Sequence, residues 1–158
     1  MNVQEATTRR LPDLKERHLP ENCRETINTI LKETYGYEQF RNLEIYDDLS
    51  KGKEKLCISQ GQLIENVILE AEKAWKSETQ VDNILLTAPT GSGKSLLFQL
   101  PAIYLGKEYN LLTIVVSPLK ALIVDQVESL QELGYMRVAY ASSDLSPEQK
   151  MEVYRQVR

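Results

Sequence analysis

Apolar residues follow two different patterns along the chain, and the change from one to the other falls near residue 80. In the first half they recur three or four positions apart over residues 23–36 and 60–76, which predicts two amphipathic helices. The stretch between them, residues 47–56, is charged and predicts a connection. Residues 1–22 are polar and contain prolines, so we expect an irregular or partly helical lead-in there.

In the second half, short apolar runs alternate with helical patterns. Three of these runs are too short for helices and are bounded by polar or turn residues, so they predict buried strands. They are NILLT (83–87), LLTIVV (111–116) and MRVAY (136–140). Strands that alternate with helices predict an α/β fold with a parallel sheet and right-handed crossovers.

Three helices are predicted to follow these strands. The first comes after residues 88–95 and ends near Gly106. The second has Ser117 as its cap and Pro118 in its first turn, and it ends near Gly134. The third starts with a capping box, SPEQ at residues 146–149, and shows no stop signal before the last residue. We therefore expect the chain to be a fragment of a longer protein, marginal in stability by itself.

Composition narrows the class of protein. The chain has 158 residues, of which 42% are hydrophobic and 27% charged, as is typical of one soluble globular domain. Its net charge of −4 is not that of a generally basic protein, so nucleic acid would have to bind through a local patch. No apolar run is long enough for a membrane span or a signal peptide, and we expect a cytoplasmic protein without a membrane partner.

Cysteine and histidine usage excludes several kinds of site. The two cysteines are far apart and in no CxxC arrangement, which favours reduced thiols over a zinc site or a disulfide framework. The single histidine, His18, argues against Ser-His-Asp and HExxH chemistry.

The stretch APTGSGKS (88–95), between the first predicted strand and its helix, predicts a phosphate-binding loop. Gly91 and Gly93 allow the backbone to curl with its N–H groups inward, where the positive end of the helix dipole adds to an anion cradle. Lys94 supplies a charge for the β- and γ-phosphates, and the Ser95 hydroxyl suits Mg²⁺. The alternative is a glycine-rich turn with an exposed lysine. The expected nucleotide contacts are Thr90, Gly91, Ser92, Gly93, Lys94 and Ser95.

The neighbouring residues resemble the first RecA-like domain of superfamily-two helicases, most closely the RecQ family. The resemblance is carried by APTGSGKS as motif I, FQLPA (98–102), VVSPLKALIVDQV (115–127) as motif Ia, YGYEQFR (35–41) and YASSDLSPEQK (140–150). It covers about residues 31–158 and implies a P-loop, RecA-like domain that binds ATP and Mg²⁺, with Lys94 as the catalytic residue. The implied parent is an ATP-dependent DNA helicase that translocates 3′ to 5′ on single-stranded or tailed duplex DNA.

The resemblance also implies contacts with the nucleic acid. In the family, motif Ia touches the phosphates of the tracked strand, which assigns Ser117 and Lys120 to that role. Taken by themselves, Ser117-Pro118 is favoured as a plain helix start and Lys120 as a solvated lysine.

The adenine-reading residue is the point where the chain departs from the RecQ pattern. Glu44 stands where the family has a glutamine, and extra residues separate YGYEQFR from Gln60. Gln60, followed by Ile64 one helical turn later, fits the glutamine that reads adenine in superfamily two. A solvent-facing glutamine is the alternative. Tyr37 and Phe40 are candidates for stacking on a base, with core packing as the favoured alternative.

Several parts of the family's ATP site are missing from the sequence. ALIVD (121–125) has the form of a Walker B strand, but its helical spacing after Ser-Pro places Asp125 on the motif Ia helix instead. No DEAD or DEAH tetrapeptide occurs, and the arginine fingers and the second RecA-like domain are also absent. We divide the chain into a helical or irregular segment, 1–58, and a partial RecA-like ATP-binding domain, 59–158.

Three classes of function remain open at this point. The helicase parent stands first, and a helicase of the same superfamily that acts on RNA is its variant. A module that binds nucleotide or nucleic acid without hydrolysis is the second class. Another P-loop enzyme, such as a kinase or a transporter ATPase, is the third, and the segment SPLKALIVDQ argues against it. For the isolated chain we expect weak ATP affinity and no DNA-stimulated turnover.

Overall fold

The structure, a computed structural model, describes residues 16–46, 55–77, 81, 83–87 and 89–156. Its elements in chain order are α1 (Glu21–Tyr35), β1 (Asn42–Tyr46), β2 (Lys55–Ser59), α2 (Gln60–Trp75), α3 (Leu96–Tyr109), α4 (Lys120–Glu132) and α5 (Pro147–Gln156). Ala88, most of the predicted charged connection and the last two residues of the predicted final helix lie outside the described residues.

Helix α3 forms the centre of the hydrophobic core. It packs against both α1 and α2, and apolar residues cover its whole circumference, as expected of a helix with neighbours on several sides. Leu100, Ile103 and Tyr104 are almost fully buried. The same core takes in Ile27, Ile30 and Leu31 of α1, Ile58 of β2 and Leu63, Ile64 and Ile68 of α2. One hydrophobic cluster thus includes residues on both sides of the predicted division at 58/59, and that division stays a prediction.

The two predicted N-terminal helices are confirmed, and local signals explain their ends. Gly36 ends α1 in the left-handed conformation at φ +68°, and its N–H donates to the carbonyl of Lys32 at 3.0 Å. Ser59 caps α2: its hydroxyl accepts from Gly61 N at 3.1 Å, while the Gln62 side chain accepts from Ser59 N at 3.2 Å.

An antiparallel hairpin joins α1 to α2, where only a connection was predicted. Strand β1 pairs with β2 from Asn42 opposite Ser59 to Tyr46 opposite Lys55. The signal was an alternation along β2: Leu56 and Ile58 lie more deeply than Lys55 and Cys57. At the base of the hairpin, Gln60 N donates to the carbonyl of Arg41 at 2.9 Å. The extra residues between YGYEQFR and Gln60 therefore bring the chain back beside Arg41.

The predicted parallel sheet is not formed in the described part of the chain. Residues 83–87, 111–116 and 136–140 are in neither strand nor helix, and the hairpin is the one sheet among the described residues. Leu85, Ile114 and Val116 are 92%, 77% and 91% exposed. Parallel strands need ladder partners and cover on both faces. The described residues supply neither for these segments, so apolar sequence alone does not make them strands.

The later helices match their predictions except at particular ends. The capping box of α5 forms: Ser146 N donates to Gln149 Oε1 at 2.8 Å, and Gln149 N donates to Ser146 Oγ at 3.2 Å. Helix α4 begins at Lys120, because Ser117 Oγ instead accepts from Leu119 N at 3.5 Å in a local turn. Helix α3 passes the predicted stop at Gly106 and ends before Asn110, which takes the left-handed conformation.

Part of the lead-in lies against α2. Leu19 N donates to Glu65 Oε2 at 3.0 Å, and the Arg17 guanidinium lies 2.7 Å from Glu70 Oε1. Both carboxylates belong to residues that are less than a tenth exposed, so pairing offsets the cost of their burial. None of the helices in the described residues has the length and apolar composition needed to cross a bilayer.

Candidate phosphate-binding site

The loop ahead of α3 has the backbone expected of a phosphate-binding turn. Gly91 and Gly93 adopt φ values of +81° and +79°, a region that side chains with a Cβ rarely enter. Leu96 N donates to the carbonyl of Gly93 at 3.2 Å, and Leu97 N to that of Lys94 at 3.0 Å. The loop therefore runs directly into the first turn of α3, whose N-terminal N–H groups and dipole favour an anion.

The carbonyl of Pro89 collects donors from across the loop. Ser92 Oγ donates to it at 2.8 Å and Ser92 N at 3.4 Å, while Lys94 Nζ donates at 3.3 Å. The Lys94 ammonium thus spans the loop from its helical end to its start. A phosphate oxygen bound within the loop would offer this ammonium a charged acceptor in place of a neutral carbonyl.

Gln60 contacts the same loop from the start of α2. Its Nε2 donates to the carbonyl of Ser92 at 3.2 Å and to that of Gly93 at 3.4 Å. Its Oε1 accepts from Arg41 N at 3.1 Å. The residue is only 3% exposed, which rules out the alternative of a solvent-facing glutamine. Whether Gln60 also reads adenine stays a prediction.

The candidate stacking aromatics lie beside this contact. The Phe40 ring packs on Gly61, where a Cβ would stand 2.7 Å from its Cδ2 atom, and it lies against the hydrophobic core. Tyr37 is half exposed and stacks on Tyr35, with ring centroids 6.4 Å apart. Core packing accounts for Phe40, and Tyr37 keeps an accessible face.

The Ser95 hydroxyl fits the predicted metal contact. Ser95 is the residue before α3 and is partly buried, and its side chain makes no capping hydrogen bond to the helix. A hydroxyl is an oxygen ligand of the kind that Mg²⁺ takes, so Ser95 would be the residue that holds the ion. Among the described residues, no group of three histidine, cysteine or acidic side chains is placed to hold a metal by itself.

The two candidate nucleic-acid contacts have protein partners at the start of α4. Lys120 Nζ lies 2.5 Å from Asp144 Oδ1 and 2.6 Å from Oδ2, so the carboxylate takes both contacts. Hydrogen bonding to the Lys120 ammonium holds the pKa of Asp144 below its ordinary value, and the positive charge of Lys120 lowers this pKa further. Ser117 makes the local turn described above. Asp125 lies in α4, as predicted against the Walker B alternative.

A partly buried chain of polar side chains connects α1, α3 and α4. Tyr35 Oη, at the end of α1, donates to Gln99 Oε1 in α3 at 3.3 Å. Gln99 Nε2 donates to Gln126 Oε1 in α4 at 2.6 Å. Burial raises the pKa of Tyr35 well above its ordinary value, which keeps the hydroxyl protonated as a donor.

Sequence reasoning missed three sets of contacts: the backbone of Arg41 and the carbonyl of Pro89 at the site, and the Gln99–Gln126 pair between α3 and α4. The first two act through main-chain atoms, which leave no residue-type signal. The pair had a signal, since both glutamines sit among apolar residues of predicted helices. A polar side chain in such a place needs a hydrogen-bond partner.

Comparison with known proteins finds similarity over a stretch of the chain that contains the loop. The sequence profile of the DEAD/DEAH box helicase family matches residues 67–158, more than half of the chain. The "ATP-dependent DNA helicase RecQ" of Synechocystis is 32% identical over 132 residues, which are 84% of this chain and 21% of that protein. The protein of the same name from Haemophilus influenzae is 31% identical over 128 residues, 81% of this chain and 16% of its own length.

A mammalian relative matches a shorter stretch. The "ATP-dependent DNA helicase Q4" of Mus musculus is 42% identical over 74 residues, 47% of this chain and 6% of that protein. The chain thus spans about a fifth or less of the length of these relatives. No solved structure matches the chain significantly.

Proposed function

The chain belongs to the DEAD/DEAH box helicase family, and we propose that it is the ATP-binding part of an ATP-dependent DNA helicase similar to RecQ. The observation that supports this best is the loop at residues 89–95, with two glycines at positive φ, a lysine ammonium across it and a helix N-terminus behind it. The ATP dependence and the DNA substrate are inferred from the names of the similar proteins.

Each loop residue has a role that its position suits. The N–H groups from Thr90 to Ser95 bind the β- and γ-phosphates of ATP, and Lys94 is the catalytic residue that neutralises charge on the transferred phosphoryl group. The Ser95 hydroxyl ligates Mg²⁺. When bound, Mg²⁺ would supply positive charge that stabilises the phosphate oxygens.

The nucleic acid is proposed to bind at the start of α4. Ser117 offers a hydroxyl and Lys120 a charge-assisted contact to a phosphate of single-stranded or tailed duplex DNA. Phosphate contacts do not separate DNA from RNA, so an RNA substrate is the second candidate. Competition between DNA and RNA strands of one sequence distinguishes the two.

The proposed domain is RecA-like, with residues 83–87, 111–116 and 136–140 as strands of a parallel sheet in the complete protein. Residues 1–58 would precede it, and a second RecA-like domain and an acidic motif would complete the ATP site. This arrangement explains why apolar side chains such as Leu85 and Val116 are exposed in the chain described here. The compartment is proposed to be the cytoplasm.

Nucleotide binding is tested by titrating the 158-residue chain with a fluorescent ATP analogue in the presence and absence of Mg²⁺. We expect weak, saturable, Mg²⁺-dependent binding without DNA-stimulated turnover. Lys94→Ala should weaken it by at least roughly tenfold, since a charge-assisted hydrogen bond contributes about 1.5–3 kcal/mol.

Lys107→Ala is the matched control, because Lys107 is an exposed lysine in α3, the helix that follows the loop. It should leave the affinity unchanged. Equal affinities for the wild type and the Lys94 variant would refute the proposed site.

A further inference from the structure

We propose that Gln60 is a positioning residue for the phosphate loop, whose side-chain amide turns the N–H groups of Gly93 and Lys94 toward the bound phosphate. The proposal rests on the nucleotide binding proposed above. It gives Gln60 a role in holding the loop that differs from reading the base.

The contact has the character of a fixed clamp. Gln60 Nε2 donates to two successive carbonyls, those of Ser92 and Gly93, at 3.2 and 3.4 Å. Its Oε1 is held by Arg41 N, and its own backbone N–H donates to the carbonyl of Arg41 at 2.9 Å. Because the residue is 3% exposed, water does not compete strongly for these bonds.

Because the peptide bond is planar, a hydrogen bond that holds a carbonyl also sets the direction of the following N–H group. In a trans peptide the C=O of one residue and the N–H of the next point in opposite directions. The described residues contain no cis peptide. When Gln60 holds the carbonyl of Ser92, the N–H of Gly93 faces the other side of the loop. Holding the carbonyl of Gly93 does the same for the N–H of Lys94.

The space at Gly93 fits this role. A Cβ built on Gly93 would lie 2.6 Å from Gln60 Nε2, well inside any normal contact. The amide reaches the two carbonyls only because residue 93 has no side chain. Gly91 has the same kind of φ, but a Cβ there would meet nothing within 4 Å. Gln60 therefore contacts the loop at Gly93, whereas the space beside Gly91 is open.

The two roles of Gln60 predict different ligand selectivity. Nε2 already donates to two loop carbonyls, so an adenine would have to displace these bonds to pair with it. A base-reading residue discriminates ATP from GTP. A loop-positioning residue acts on the phosphates and affects ATP, GTP and inorganic tripolyphosphate alike.

The experiment compares wild type with Gln60→Glu and Gln60→Met in the 158-residue chain, after circular dichroism has shown which variants fold. Glutamate keeps the acceptor for Arg41 N but cannot donate to the loop, and methionine has a similar shape without polar atoms. Gln131→Glu, at an exposed position of α4, controls for the added charge. Affinities for ATP, GTP and tripolyphosphate are measured by calorimetry.

We expect a folded Gln60 variant to weaken all three ligands by a similar factor, roughly tenfold, with the ATP/GTP ratio unchanged. In NMR spectra, tripolyphosphate should shift the Gly93 and Lys94 amide protons downfield in wild type and much less in the variant. A changed ATP/GTP ratio with tripolyphosphate affinity intact would overturn the proposal in favour of base reading. Unchanged affinities for all three ligands would overturn it too. Failure of the wild type to bind any of them would refute the proposed function itself.

Discussion

The Nε2 atom of Gln60 occupies the space into which a side chain on Gly93 would project, 2.6 Å from the ideal Cβ position. These two residues lie on different elements, one at the start of α2 and one just before α3. Their contact holds the glycine-rich loop (residues 89–95) against the start of α2. Gly91, two residues earlier in the same loop, has no such neighbour.

Alanine at the two loop glycines should therefore have unequal effects on stability. Gly91→Ala places a Cβ at φ +81° in open space, and its cost is backbone strain alone, about 1–2 kcal/mol. Gly93→Ala carries the same strain and also displaces the Gln60 amide from two carbonyls, which adds about 1–3 kcal/mol. Urea denaturation of the two variants measures the difference.

A double-mutant cycle separates strain from displacement in that comparison. In a Gln60→Ala background the amide is gone, so Gly93→Ala should cost no more than Gly91→Ala does. If the extra cost of Gly93→Ala persisted without the Gln60 side chain, the close contact would not be its cause.

Release of Lys120 from its ion pair should strengthen binding of single-stranded DNA. Both partners are exposed, so breaking the pair costs little stability. Asp144→Asn removes the competing carboxylate, and we expect a roughly two- to fivefold higher affinity at low salt. One added phosphate contact should also steepen the salt dependence by about 0.7 in log–log slope. Fluorescence anisotropy at several salt concentrations measures both quantities.

The control for this comparison is Glu128→Gln, which removes the same charge from an exposed position of α4 without freeing Lys120. It should leave the salt slope unchanged. Adding Lys120→Ala to Asp144→Asn should cancel the gain. An equal gain from both acid-to-amide variants would mean that net charge is responsible and not Lys120.

The helices were predictable from the sequence because their signals are local. The Ser146–Gln149 box and the stop at Gly36 each depend on residues a few positions apart, and both form as expected. The strands were not predictable in the same way. A residue such as Ile114 shows that burial is favourable but not which segment supplies the partner.

The candidate site divides along the same line. The two glycines of the loop predict a left-handed backbone, and the structure has both at positive φ. The partner of Gln60 is 32 residues away at Ser92, and that of Lys120 is 24 residues away at Asp144. No spacing rule identifies such contacts, because they depend on how helices pack. The hairpin was missed for the same reason. The extra residues between YGYEQFR and Gln60 bring the chain back beside Arg41 through strand pairing, which residue spacing does not show.

The buried amide pair between α3 and α4 should contribute measurably to stability. Gln126→Ala would leave the Gln99 Nε2 group, in a residue that is 8% exposed, without its acceptor at 2.6 Å. An unsatisfied buried donor costs about 1–3 kcal/mol. Gln131→Ala, on the exposed side of the same helix, should be neutral or slightly stabilising. Equal melting temperatures for the two variants would show that water replaces Gln126 without cost.

The bond between Tyr109 and Glu72 should make the stability of the chain depend on alkaline pH. Tyr109 Oη donates to Glu72 Oε1 at 2.7 Å, and this bond, with burial, raises the pKa of Tyr109 to about 12. A raised pKa means that the folded state holds the proton more tightly, so the contribution is complete below pH 10 and is lost between pH 10 and 12. Tyr109→Phe should cost about 1–2 kcal/mol at pH 8 and progressively less above pH 10. A constant Tyr109→Phe deficit up to pH 12 would contradict the assignment.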